Sequence, residues 1–282
     1  MPSRAEVDSR SIRGNRVHAE AVERVAERVR TLASSYEPPS FEHVPEPDSA
    51  LFLSAIDHRT GYRAGHSVGG QGPLEGSELM WAVGLRAAER EPGLLTAASL
   101  REITGERVAE LFRIDDETVA EPERRAALWR DLAVGLQRDH GGRADALLAA
   151  ARGRLGGDGG LLALLAPYEA YGDPLRKKSF LFVKICERRG WLEVRDPDGW
   201  EVCADNVLMR LALRSGLVGP GSLAEVREST VEGFAAVARR AGISPPILDD
   251  LLWELGRDDS DLLGTEGGDL SEPRRDPSSD WY

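Results

Sequence analysis

From residue 96 onward, apolar side chains in this chain recur every three or four positions, and glycine or proline interrupts each run. That period belongs to helices with one buried stripe, so the chain must bury its apolar surface by packing helix on helix. The spacing predicts two short helices in 96–113 hinged near Gly105, and a long amphipathic helix in 121–142 with a glycine stop. Further helices are expected over 143–155, 161–171 and 175–190, with the glycine-rich 156–160 between the first two. Residues 204–217, 229–242 and 244–257 complete the set, the last with Pro245 and Pro246 in its first turn.

The part before residue 96 is more mixed. Val22, Val25, Ala26, Val29, Leu32 and Ala33 form one stripe of a helix over 18–34, which ends at four prolines between 38 and 47. Residues 50–58 make a short apolar element that ends on polar residues. The glycine-rich 59–76 reads as a loop, and 78–90 as a helix with Ser77 as N-cap. The period breaks at 191–203, where alternation around Asp-Pro-Asp-Gly predicts a small β-hairpin. The expected fold is all-α: a mobile 1–15, one helical domain over 16–264, and a polar tail over 265–282 ending on an aromatic pair.

Composition excludes several function classes. The formal net charge is −12, which argues against a stable nucleic-acid partner, because such binding neutralises phosphates with cations. Only Cys186 and Cys203 occur, neither a disulfide framework nor a metal cluster, so no metal or cofactor is expected. No apolar run reaches spanning length and residues 1–20 lack a signal-peptide core, so a cytoplasmic chain without a membrane partner is expected. Gly-Gly-Gln-Gly is a weak phosphate-loop signal, and no Walker, G-x-S-x-G or H-E-x-x-H pattern is present.

One compositional feature points to chemistry. The chain has 36 Lys plus Arg, yet its lysines are confined to Lys177, Lys178 and Lys184. Arginine is a permanently charged fork, whereas lysine shifts its pKa readily when buried. The window therefore reads as a place that wants lysine, with Lys177 and Lys184 on one helix face. The competing reading is chance clustering on a solvated face. Asp205 opens a helix after two small residues; a plain N-cap is the simpler role, and stabilising a developing positive charge is the other. Cys186 and Cys203 read as small core residues. Asp57, His58, Glu78 and Trp81 flank the glycine-rich segment as a possible pocket wall, while His58 and His66 taken singly read as loop or surface residues.

Several segments, in order over about 45–260, resemble the queuosine salvage proteins, which cleave queuosine nucleotide to release the base queuine. They are Gly-Ser-Glu-Leu-Met-Trp at 76–81, 94–115, 121–142, Arg-Lys-Lys-Ser-Phe-Leu-Phe-Val-Lys-Ile at 176–185, 202–218 and 245–258. The terminal Trp281-Tyr282 echoes an aromatic pair of that family. The resemblance implies a fold similar to helix-hairpin-helix DNA glycosylases and a catalytic lysine–aspartate pair, which falls on Lys177 and Asp205. It implies a small-molecule substrate, queuosine 5′-monophosphate or queuosine, and an N-glycosidic hydrolysis through an oxocarbenium-like transition state. Lys178 joins Lys177 near the phosphate in this reading; Asp57 and Glu78 face the ammonium group of queuine, and Trp81 or Phe52 stacks on the base. Asn206-Val207 and Met209-Arg210 stand where the family has Tyr-Arg and Pro-Gln, and Ser77-Glu78 replace an aromatic pair; Asn206 and Arg210 are kept as candidate substrate contacts. The rival expectations are a DNA base-excision glycosylase and a non-catalytic helical binding protein. Oligomeric state is left open.

Overall fold

The computed structural model describes residues 16–68, 71–268 and 279–281, the side chains of 65–68 and 71–73 excepted. The expected mobile segment 1–15, Gly69-Gly70, most of the tail and Tyr282 fall outside the described residues, as does the side chain of His66. The chain is mostly helical, as its periodicity requires. In chain order the elements begin with α1 (Ala19–Ala33), α2 (Pro47–Ala55), β1 (Arg63–Val68), β2 (Gln71–Glu75) and α3 (Gly76–Arg90). Next come α4 (Ala97–Leu100), α5 (Gly105–Leu111), α6 (Pro122–His140), α7 (Ala144–Ala151) and α8 (Leu161–Leu165). The last four are α9 (Lys177–Arg188), α10 (Asn206–Arg214), α11 (Leu223–Ala241) and α12 (Pro245–Asp258). The contacts group the chain into two compact units: Met1–Pro38 with Glu201–Pro277, and Pro39–Trp200 with Ser278–Tyr282.

The first unit joins α1 to α10, α11 and α12. Val25, Val29, Leu208, Leu211, Phe234, Leu248 and Leu251 have almost no exposed surface and form its centre. Burying such a side chain stabilises the fold by roughly 1.5–3 kcal/mol each. The caps are explicit in the sequence. Asp205 caps α10 by accepting from Val207 N at 2.9 Å and Leu208 N at 3.1 Å. Ser222 and Glu225 form a reciprocal capping box, so α11 begins at Leu223, six residues ahead of the expected 229. Pro245 opens α12, where a missing N–H costs nothing.

The second unit is built around α2, whose residues from Ser49 to Ala55 are all buried. Helix α6 presents Ala126, Trp129, Leu132, Ala133 and Leu136 to the core and stops at Gly141, which has a φ of 63°. Gly105 lets α5 meet α6 closely: a Cβ there would stand 2.8 Å from Glu123 N. Ser77 is not the cap of α3; that position is Glu75, and Ser77 lies inside the first turn with its hydroxyl turned to Asp57. The expected helix 161–171 is cut to Leu161–Leu165, followed by a 3-10 turn at Glu169–Tyr171, because Pro167 cannot continue it.

The hairpin expected at 191–203 does not form. Its backbone is committed elsewhere: Arg195 N donates to Gly153 O at 2.8 Å. The Asp196 carboxylate accepts from Leu155 N at 2.6 Å and Gly156 N at 2.9 Å. Asp-Pro-Asp-Gly becomes a 3-10 turn, Pro197–Gly199, and Trp200 packs on Phe180 at 5.9 Å. The strand pair lies instead in the segment read as a loop. β1 and β2 are antiparallel, with Arg63 opposite Glu75 and Val68 opposite Gln71.

Candidate functional site

A buried helix end must find donors for its last carbonyls. The end of α2 finds them in side chains from α6, α9 and the turn before α9. Tyr171 Oη donates to Leu51 O at 2.6 Å, and Trp129 Nε1 to Phe52 O at 2.6 Å. Lys178 Nζ donates to Ala55 O at 2.6 Å, and Lys177 Nζ to Asp57 O at 2.9 Å. Arg125 donates to Ile56 O, and to His58 O at 2.6 Å. Three cations thus gather at the negative end of the helix dipole, which favours them. The lysine window therefore has a first, structural meaning: Lys177 is 9% and Lys178 0% exposed because both close a buried helix. Lys184, on the same helix, is buried as well.

Burial in such company is costly for a cation. Desolvation, then Lys177 and Arg125, hold the Lys178 amine well below the usual lysine pKa. Burial also draws the Arg125 guanidinium down to about 10. The helix end is thus a place of concentrated positive charge with one of its lysines inclined to be neutral.

The side chains of the segment after α2 are what the capping leaves over. Asp57 is 5% exposed. Its Oδ2 accepts from Ser77 Oγ at 2.9 Å and Trp81 Nε1 at 3.2 Å, and its Oδ1 stands 4.0 Å from Lys177 Nζ. His58 is 2% exposed, with Nδ1 3.0 Å from Lys178 Nζ. Burial and then Lys178, Arg125, Lys177 and Arg59 press its pKa far below the usual imidazole value, so the ring is neutral. Its Nε2 is buried without a hydrogen-bond partner and lies 3.5 Å from Asp280 Oδ1. Asp280 also accepts from Arg124 Nε at 2.6 Å, and Arg59 NH2 is 3.8 Å from its Oδ1.

The backbone is strained around this segment. Six described non-glycine residues have positive φ, and three flank the site: Arg59 (44°), Glu121 (50°) and Arg176 (56°). Left-handed backbone at such residues costs about 1–3 kcal/mol each and collects at functional sites. Arg59 and Glu121 are also paired with each other as an ion pair.

The structure thus brings Lys177, Lys178, Asp57, His58 and Trp81 together. Glu78 lies one residue from Ser77 in the first turn of α3 and is half-buried. Phe52 is fully buried in α2 and serves the core. Asp205, Asn206 and Arg210 belong to the other unit. There Asn206 follows the Asp205 cap with its Oδ1 buried, and Arg210 donates to Gly256 O at 2.7 Å and Arg257 O at 3.1 Å. Cys186 and Cys203 are buried free thiols, and burial pushes the Cys186 thiol up. Sequence reasoning missed Arg59, Arg124, Arg125 and Asp280. Only Arg125 had a local signal: it falls on the apolar stripe of α6 with Leu128, Trp129 and Leu132. A separate surface cleft of about 370 Å³ is lined by Asp145, Arg152, Trp191 and Arg195 and shares no residue with this site.

No family model matches the chain, and no curated protein matches it. Among the described residues, no three His, Cys, Asp or Glu side chains are grouped to share a metal ion. No described helix is long and apolar enough to cross a membrane.

Proposed function

We propose that this chain is an N-glycosidase that hydrolyses queuosine 5′-monophosphate, or queuosine, to release queuine. The observation that carries this reading is the Asp57 carboxylate, nearly buried, oriented by Ser77 and Trp81 and 4.0 Å from the Lys177 ammonium. A desolvated carboxylate with fixed donors is suited to a cationic or donor-rich ligand. The queuine side chain carries an ammonium group that such a carboxylate would take. Trp81 is half-buried and gives its indole N–H to Asp57, and its ring is the one this reading assigns to stacking on the base.

Asp205 enters this reading through the resemblance, as the carboxylate that stabilises charge developing on the sugar. A 7-deazaguanine has carbon at position 7 and cannot be protonated there, so electrostatics around the sugar carry more of the barrier. The helix-hairpin-helix likeness is part of the same proposal.

One observation favours the non-catalytic reading: Lys177 and Lys178 both spend donors on backbone carbonyls of α2, which is work a scaffold needs. The test is base release, followed by chromatography, with queuosine and its 5′-monophosphate offered separately at equal concentration. Release of queuine, faster from the monophosphate, is the expected result. No release from either substrate by chain that melts cooperatively would overturn the glycosidase and leave the scaffold.

A further inference from the structure

Asp280 is an acid held where the site would hold a ligand. Its side chain is 13% exposed, less than its neighbour Trp281, which is 38% exposed. Charge holds it: Arg124 Nε at 2.6 Å, Arg124 NH2 at 2.5 Å, and Arg59 NH2 at 3.8 Å, two guanidinium groups that also pair with Glu169 and Glu121 respectively. His58 faces it as well, with Nε2 3.5 Å from Oδ1. Lys178 Nζ lies 3.0 Å from Nδ1. Taking Lys178 Nζ as the donor to Nδ1, as it is to Ala55 O, the ring proton sits on Nε2, the tautomer that presents hydrogen, not a lone pair, to the Asp280 carboxylate.

That Nε2 donor is not satisfied. It is buried, it has no hydrogen-bond partner, and 3.5 Å to Asp280 is outside a well-formed bond. Arg59 Nε is likewise buried and unpartnered. A buried donor left unmade costs about 1–3 kcal/mol. The two oxygens of a carboxylate lying against Arg124 do not reach His58 as well. A phosphate monoester has three terminal oxygens and a second negative charge, and it suits two guanidinium groups and an imidazole N–H.

We propose that His58, Arg59 and Arg124 form a binding site for a phosphate monoester, and that Asp280 occupies it as an internal competitor. The choice of a phosphate ligand deepens the nucleotide reading above and rests on it; the anion site stands on its own geometry. A tethered carboxylate acts at an effective concentration in about the millimolar range, enough to compete with a small anion. If Asp280 holds the site nine-tenths of the time, removing it tightens phosphate binding about tenfold.

The experiment is calorimetric titration of the full chain with ribose 5-phosphate, inorganic phosphate, malonate and ribose. The expected result is that both phosphates bind, ribose does not, and Asp280→Asn binds ribose 5-phosphate about tenfold more tightly. Arg124→Ala, at a half-exposed side chain whose loss leaves the core intact, is expected to abolish binding, and Arg59→Ala to weaken it. Unchanged or weaker binding by Asp280→Asn would make Asp280 a structural anchor and overturn the competitor. No phosphate binding by either form would overturn the site, and malonate binding as tightly as the phosphates would reassign it to carboxylates. Phosphate binding without queuine release leaves this site standing and defeats only the glycosidase reading.

Discussion

Acid should weaken this protein through one histidine. The His58 side chain has no exposed surface, and its Nδ1 lies 3.0 Å from the Lys178 amine. Burial, Lys178, Arg125, Lys177 and Arg59 all oppose a positive charge on the ring, and the Asp280 carboxylate stands 3.5 Å from it. The folded-state pKa is therefore depressed, while the unfolded histidine titrates near 6.5. Below that value the unfolded chain binds a proton that the folded chain refuses, so stability is lost as pH falls. With His58 neutral throughout, lowering the pH from about 7 to about 5 costs about 2 kcal/mol from this residue. His58→Asn keeps an acceptor near the Nδ1 position for Lys178 and has nothing to titrate. Urea unfolding of both proteins at the two pH values measures the difference, and His43, also depressed, cancels in the comparison. Equal acid losses in wild type and variant would refute the reasoning, because they would mean that folded His58 accepts the proton.

Four further outcomes are expected. Lys178 has a folded pKa well below the free value, so wild-type stability rises with pH between the two; Lys178→Met should flatten that rise in melts between about pH 7 and 8.5, and parallel slopes would mean the buried amine stays charged. Asp205→Asn preserves helix capping, since Asn caps as well as Asp, and should leave the melting temperature nearly unchanged; under the proposed glycosidase reading it should also remove nearly all queuine release, and near-normal turnover would remove Asp205 from that proposal. Gly105→Ala drives a Cβ to 2.8 Å from the Glu123 backbone nitrogen and should destabilise the protein by about 1–3 kcal/mol, measured by urea titration; an unchanged midpoint would show that α5 and α6 can separate freely. Trp129→Phe strips the donor from a buried Phe52 carbonyl and should cost about 1–3 kcal/mol in the same assay, and a loss no larger than a few tenths would show that another donor replaces it.

Helix existence was legible because its causes are local. The stripe of α1, the glycine after α6 and the prolines opening α12 each act within a few residues, and each element formed near where its spacing placed it. Ser-Leu-Ala-Glu at 222–225 was an equally local signal for the start of α11. The hairpin was misplaced because strand pairing is not local. Alternation at 191–203 was outbid by the 153–156 loop, whose N–H and C=O groups took the backbone and Asp196. In the glycine-rich 59–76 the pattern was too weak to announce the pairing that occurs there.

The sequence by itself determined that this chain is helical and that its lysines are singular. What those lysines touch was decided only by the tertiary structure. Lys177 and Lys178 meet carbonyls 120 and 123 residues away, because α2 is buried from Ser49 to its end and its last carbonyls, cut off from water, accept whatever donors α6 and α9 bring. The same distance hid Arg124 and Asp280, which are 156 residues apart and join by charge. Periodicity reports which face of a helix turns inward. It carries nothing about which distant group that face will meet, and a buried site is made of such meetings.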